Sequence, residues 1–195
     1  MNYNESKETV LQLLPTEDAI LQLAEECVEL SKEFLIFNNT ERRMSTGVMP
    51  TGAMEEAADV ELVAEMLLDK IYAAYDKRIL RSMVGSILIV VKGLGLIHIK
   101  ESLHEVCHDL AKAALKLRRA RSGDNPTLIT EEAAREMLLC HISMIMALDT
   151  ILFNGEAREQ MEKIKEQKME RWAMRLKGET ENGKREGVLL DKGAD

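Results

Sequence analysis

The chain is poor in the residues that interrupt or staple a fold. Only three prolines occur in 195 residues, so long stretches are free of the residue that breaks helices and central strands. Aromatic residues make up 4%, with a single tryptophan, so any core must be built from aliphatic side chains and methionine. The three cysteines, Cys27, Cys107 and Cys140, lie in apolar surroundings and form no CxxC pair. Their odd number and the lack of a signal-peptide pattern predict a reduced, cytoplasmic protein. Positive charge is scarce too: 26 Lys and Arg stand against 34 Asp and Glu, a net charge of −8. That balance argues against a general affinity for nucleic-acid polymers or anionic membranes. It leaves room for single nucleotides, which an acidic protein can hold through a divalent cation.

Long hydrophobic runs are missing as well. The nearest, "MVGSILIVVKGLGLIHI" at 83–99, is short for a membrane span and contains Lys92 and three glycines. The expectation is no membrane role and a buried connecting segment, with further burial at a subunit interface in a homo-oligomer.

What the sequence has is helix-forming residues in a 3.6-residue rhythm. A short helix is expected over about 5–14, ending at Pro15. Thr16 reads as the N-cap of a longer helix to about Phe37, with Glu17 and Asp18 in its first turn. After a loop at 38–52, helices are expected over about 53–75, 97–120 and 131–153. "FNG" at 153–155 reads as a stop, followed by a charged helix over 156–177 and a disordered tail at 178–195.

The order long helix, loop, long helix occurs twice. "LQLAEECVELSKEFL" (21–35) aligns without a gap on "ESLHEVCHDLAKAAL" (101–115), so that Glu25 meets Glu105, Cys27 meets Cys107 and Glu29 meets Asp109. With four extra residues in the second loop, "EEAADVELVAEMLL" (55–68) aligns on "LCHISMIMALDTIL" (139–152). The expected architecture is therefore an all-α helical bundle built from a tandem duplicated helical hairpin. Residues 1–82 form one half, and 83–177 a connector plus the second half.

Helical projection divides the acids of "AMEEAADVELV" (53–63) into two groups. Val60, Val63, Met66 and Leu67 define an apolar stripe; Glu56 falls within it and Asp59 within its width. Glu55, Glu61 and Glu65 fall outside, where solvent is expected. An ionised carboxylate cannot be buried alone, so Glu56 and Asp59 need a cation, a proton or a salt-bridge partner. On the preceding helix, Leu23, Cys27, Leu30 and Phe34 form the stripe, Glu26 flanks it, Glu29 lies a little further round and Glu25 faces away. Glu26 and Glu29 are three apart, as are Glu56 and Asp59. If the helices pack antiparallel, four carboxylates converge, a donor set that suits Mg²⁺ or Mn²⁺ and is wrong for zinc. The alternative is exposed acids on the first helix and salt-bridged ones on the second.

"EECVE" (25–29), then 26 residues, then "EAAD" (56–59) resembles the EExxE…ExxD pattern of the MazG-like all-alpha nucleoside triphosphate pyrophosphatases. Relatives of that superfamily include dimeric dUTPases, dCTP pyrophosphatases and phosphoribosyl-ATP pyrophosphatase. "KAALKLRRARSGDNPTLITEEAA" and "EKIKEQKMERWAMRL" resemble further segments of the family, so the resemblance runs over about 17–177. It implies a pseudo-dimer that hydrolyses a (d)NTP to the monophosphate and pyrophosphate. Glu26, Glu29, Glu56 and Asp59 would hold Mg²⁺, and Glu25 or Glu29 would position or deprotonate the attacking water. Phosphate contacts would come from Lys32, Lys70 or the "KLRRAR" segment at 116–121, each of which has an equally plain structural role. Base selectivity would lie around Phe37, Asn38 and Asn39.

The second half departs from the motif: Val106, Cys140 and Ser143 stand where the first half has Glu26, Glu56 and Asp59. It is expected to act as an in-chain partner supporting one working site. His104, His108, Cys140 and His141 have a spacing able to bind a transition metal, though such residues more often fill cores and surfaces. Two competing functions remain at this level. One is a catalytically silent helical scaffold that binds nucleotide or a protein partner; the other is a biosynthetic pyrophosphatase acting on a nucleotide-like intermediate.

Overall fold

The structure is a computed structural model and describes residues 2–44, 51–72, 74–93, 96–124 and 128–190. Seven helices and no strand occur among them: α1 (Tyr3–Leu13), α2 (Thr16–Met44), α3 (Thr51–Ile71), α4 (Ala74–Val91), α5 (Leu96–Ser122), α6 (Glu131–Leu152) and α7 (Glu156–Leu190). The all-α expectation holds.

Local chemistry sets several of the ends. α1 opens on a capping box, in which Asn2 Oδ1 accepts from the Glu5 amide and Glu5 accepts from the Asn2 amide. α2 begins one residue from the expected cap: Thr16 is its first helical residue, and the Pro15 carbonyl accepts from the Ala19 amide at 3.1 Å. Thr130 caps α6 by accepting from the Ala133 amide at 3.2 Å. Beyond α6, Gly155 takes φ +57°, a left-handed turn that glycine adopts at no steric cost. α7 runs from Glu156 to Leu190, and no proline interrupts that stretch.

Two hairpins, α2–α3 and α5–α6, meet chiefly through α2 and α5. Their shared core holds the predicted α2 stripe, Leu23, Cys27, Leu30 and Phe34, all fully buried, against Leu103, Cys107, Leu110 and Leu117 of α5. Phe34 meets Phe153 edge to face, with ring centroids 6.5 Å apart. Each fully buried Leu or Phe contributes roughly 1.5–3 kcal/mol through lost apolar hydration.

α3 is covered on two sides. α2 packs on one face, and α1 and α7 pack together over the other. This second layer overturns the solvent expectation for Glu61, which is 4% exposed. Glu61 accepts two bonds from the Arg158 guanidinium (2.6 and 3.0 Å) and one from Lys165 Nζ (3.1 Å). Glu65 is half-buried and accepts from Lys165 (2.6 Å) and the Tyr3 hydroxyl (3.1 Å). Only Glu55 of the three lies in solvent as expected.

The 83–99 segment also differs from expectation. Its first part is helix α4, which lies mainly on α6 and leaves Ile89 78% and Val90 69% exposed. No helix among the described residues is long and apolar enough to cross a membrane.

Candidate functional site

The acids of the α2–α3 hairpin gather where the two helices face each other. Glu26, Glu29 and Glu56 each bring one carboxylate oxygen to within 4.8 Å of the other two. Glu26 and Glu56 are half-buried and Glu29 is exposed. The i,i+3 spacing on α2 puts Glu26 and Glu29 on adjacent turns, and the turn of α3 carrying Glu56 packs beside them. One oxygen of Glu56 is buried without a hydrogen-bond partner. Gln22 Nε2 donates to Glu26 at 3.4 Å. Among the described residues no other group of three His, Cys, Asp or Glu side chains converges so closely.

Asp59, one turn after Glu56, is half-buried and faces α7. Lys168 Nζ donates to its carboxylate and also to the Glu55 carbonyl, the latter at 3.1 Å. The salt-bridge alternative for the α3 acids therefore describes Asp59, and Glu56 stands with the cluster.

The electrostatics are those of crowded carboxylates. Burial, reinforced by the charge of Asp59 and then by Glu29 and Glu56, pushes the Glu26 carboxyl up to about 7. Burial followed by the charges of Asp59 and Glu29 raises Glu56, against the pull of Lys168. Burial raises Asp59 as well, outweighing the hydrogen bond and charge of Lys168. All three shifts run the same way: the cluster lacks positive charge and favours a proton or a cation.

A cleft of about 240 Å³ opens beside the cluster. Glu26 and Asp59 line one wall, and Lys168, Arg171, Trp172 and Arg175 of α7 line the other. Among the described residues Arg171 and Arg175 are exposed and make no ion pair. This basic wall escaped the sequence reading. Residues 168, 171, 172 and 175 share a helical face that flanks the buried Met161–Lys165–Met169–Ala173 row.

No family model, curated protein or solved structure matches the chain.

The other expected site residues are placed as follows. Glu25 is exposed beside the cluster and faces outward. Lys32 is exposed on α2, one turn past Glu29. Lys70 is not brought to the cluster. It lies eleven residues beyond Asp59, about 16 Å along α3 at 1.5 Å per residue. Its Nζ donates to the Leu11 carbonyl at 2.6 Å, tying α3 to the end of α1. The Asn38 side chain, like those of Phe37 and Asn39, lies outside the described residues. In "KLRRAR", Arg121 pairs with Glu17 at 2.7 Å and Glu131 at 2.9 Å, joining the starts of α2 and α6 instead of reaching the cluster.

The second half presents no equivalent cluster among the described residues. Asp109 is exposed and paired with Lys112 at 3.0 Å, Glu105 is exposed, and Val106 is buried. Ser143 donates to the Leu139 carbonyl at 2.7 Å inside α6. The histidines are engaged within the protein. Ser31 Oγ lies 2.5 Å from His104 Nδ1 and 3.1 Å from His108 Nδ1, and His141 Nδ1 meets the Met137 carbonyl at 2.7 Å.

Proposed function

We propose that this protein is a Mg²⁺-dependent nucleoside triphosphate pyrophosphohydrolase of the MazG-like kind, converting (d)NTP and water to (d)NMP and pyrophosphate. The observation that carries the reading is the convergence of Glu26, Glu29 and Glu56 within 4.8 Å beside a cleft with a basic wall. The donors fit a hard divalent cation: they are oxygens only, one of them is buried and unpartnered, and burial together with neighbouring carboxylate charge raises Glu26 and Glu56. Glu26, Glu29, Glu56 and Asp59 are the residues that would hold Mg²⁺, or Mn²⁺ in its place.

When bound, the ion would neutralise the triphosphate and make its phosphorus open to attack. The protein's own groups supply the rest. Glu29 is the exposed member of the cluster and is best placed to accept the proton of an attacking water. Glu25 faces outward and would act on that water only through another group. Lys32 stands on the open side of α2, where a phosphate oxygen could reach it. The α2–α3 and α5–α6 hairpins, packed through α2 and α5, support the duplication and the role of the second half as an in-chain partner. So does the burial at that contact of Cys27 and Cys107, residues at matching positions of the repeat.

The Lys168–Asp59 pair is what a silent scaffold would also show, so activity decides between the two. Pyrophosphate release is measured over a panel of NTPs and dNTPs with Mg²⁺. Glu56→Gln should lower it at least about a hundredfold, given the several kcal/mol that metal-held charge contributes to such a transition state. Glu105→Ala and Asp109→Ala should leave it within about twofold, since both side chains are exposed. The reading fails if no nucleotide is hydrolysed, or if the second-half changes are as damaging as Glu56→Gln.

A further inference from the structure

The basic wall of the cleft meets the proposed metal-binding set at the Lys168–Asp59 pair. Lys168 is 18% exposed at its side chain, Asp59 23%, and both partners of this ion pair line the cleft. A cation on α7 thus already neutralises one carboxylate of the proposed metal-binding set. Arg171 and Arg175 extend the same wall along α7. The cleft, at about 240 Å³, is smaller than the roughly 300–1,000 Å³ typical of sites that enclose a drug-sized ligand. Its size suits a chain of phosphates, and two guanidiniums with an ammonium are the donors such a chain requires.

We propose that this cleft is the polyphosphate subsite, and that Lys168 is a tethered cation that leaves Asp59 for a phosphate oxygen when a divalent ion takes its place. The nucleoside lies outside the cleft. The inference rests on the pyrophosphohydrolase reading for its ligand class, but its two binding consequences are separable from catalysis. Lys168 competes with Mg²⁺ for Asp59 and cooperates with it for phosphate, so its removal moves the two affinities in opposite directions. A merely structural Lys168 would weaken both or neither.

Trp172 is the sole tryptophan and lines the cleft, so its fluorescence reports on occupancy. Mg²⁺ alone is titrated by calorimetry, and tripolyphosphate, pyrophosphate and a non-hydrolysable nucleoside triphosphate by Trp172 fluorescence with Mg²⁺ present. In Lys168→Met, Mg²⁺ should bind several-fold more tightly, while tripolyphosphate weakens about tenfold or more, the scale of a lost charge-assisted hydrogen bond. Arg175→Gln, an exposed change that leaves the α7 packing alone, should weaken tripolyphosphate without altering Mg²⁺ affinity. Tripolyphosphate should compete with the nucleoside triphosphate for the same signal. Hydrolysis that persists while neither variant changes polyphosphate affinity overturns the subsite and leaves the proposed activity standing. Polyphosphate binding with the opposed shifts, but no hydrolysis of any nucleotide, keeps the subsite and removes the activity.

Discussion

Glu61→Gln tests whether α7 is fastened to α3 by the charges buried between them. Glu61 and Lys165 are each 5% exposed at the side chain and lie 3.1 Å apart, and Arg158 grips the same carboxylate with two bonds. Burial alone would make the Lys165 ammonium easier to neutralise, but Glu61 and Glu65 hold it above its usual range. Glutamine keeps the shape of Glu61 and removes the charge that both cations face. Breaking a buried pair by deleting one partner costs about 3–5 kcal/mol. Lys165 keeps Glu65 at 2.6 Å and Arg158 keeps Glu162 at 2.6 Å, which places the loss at the lower end. A loss of about 3 kcal/mol lowers the melting temperature of a domain this size by roughly 6–12 °C. Urea unfolding gives the free energy and a thermal melt the temperature. Replacing Glu61 and Lys165 together by Met should recover much of the loss, because no buried charge is then left unpaired. A loss below about 1 kcal/mol for Glu61→Gln, or a double variant less stable than the single one, would refute this account of α7 docking.

Protons should compete with Mg²⁺ at Glu26, whose carboxyl titrates near 7. Between pH 6 and 8 such a group passes from about nine-tenths to one-tenth protonated, so Mg²⁺ affinity should rise about tenfold, and Glu26→Gln should flatten the rise. Calorimetry without nucleotide measures it; equal affinity at the two pH values speaks against Glu26 as a ligand. A raised carboxyl also makes stability pH-dependent. What Glu26 contributes is fully present below its unfolded value of 4.5 and is lost as pH rises through about 7, and Mg²⁺ should restore more of the melting temperature at pH 8 than at pH 6. Asp149 behaves alike for a different reason: it is fully buried with both carboxylate oxygens unpartnered, and burial followed by the charge of Glu61 raises it well above 3.8. Asp149→Asn should therefore flatten the fall in melting temperature from pH 5 to pH 8, and an unchanged slope would assign that fall to other groups.

The sequence was most readable where one helix has one buried face. The stripe Leu23, Cys27, Leu30 and Phe34 is buried as its spacing predicts, and three of the four carboxylates expected to converge, Glu26, Glu29 and Glu56, do meet, while Asp59 turns to Lys168. It was least readable where an element has two partners. The periodicity of α3 places Glu61 outside the apolar stripe. That position becomes interior only because α7, about a hundred residues later, supplies Arg158 and Lys165 to meet it. Lys70 shows a second limit. Its angle around α3 matches Asp59, but projection along an axis says nothing of distance along it, and the amine serves the Leu11 carbonyl instead. The α7 wall was missed because a charged helix face usually reads as solvated, and nothing local marks one that borders a cleft.

The place of α7 in the chain has a consequence for synthesis. Every acid of the cluster lies before residue 60, and every cation of the facing wall lies after residue 167. During synthesis these carboxylates emerge long before Lys168, and the cleft has a single wall until α7 docks. On the proposed reading, a nascent chain without α7 would present the carboxylates for a divalent ion but lack the wall that grips a polyphosphate. On the proposed reading, nucleotide binding waits for α7, whose Lys168 follows Glu56 by more than a hundred residues.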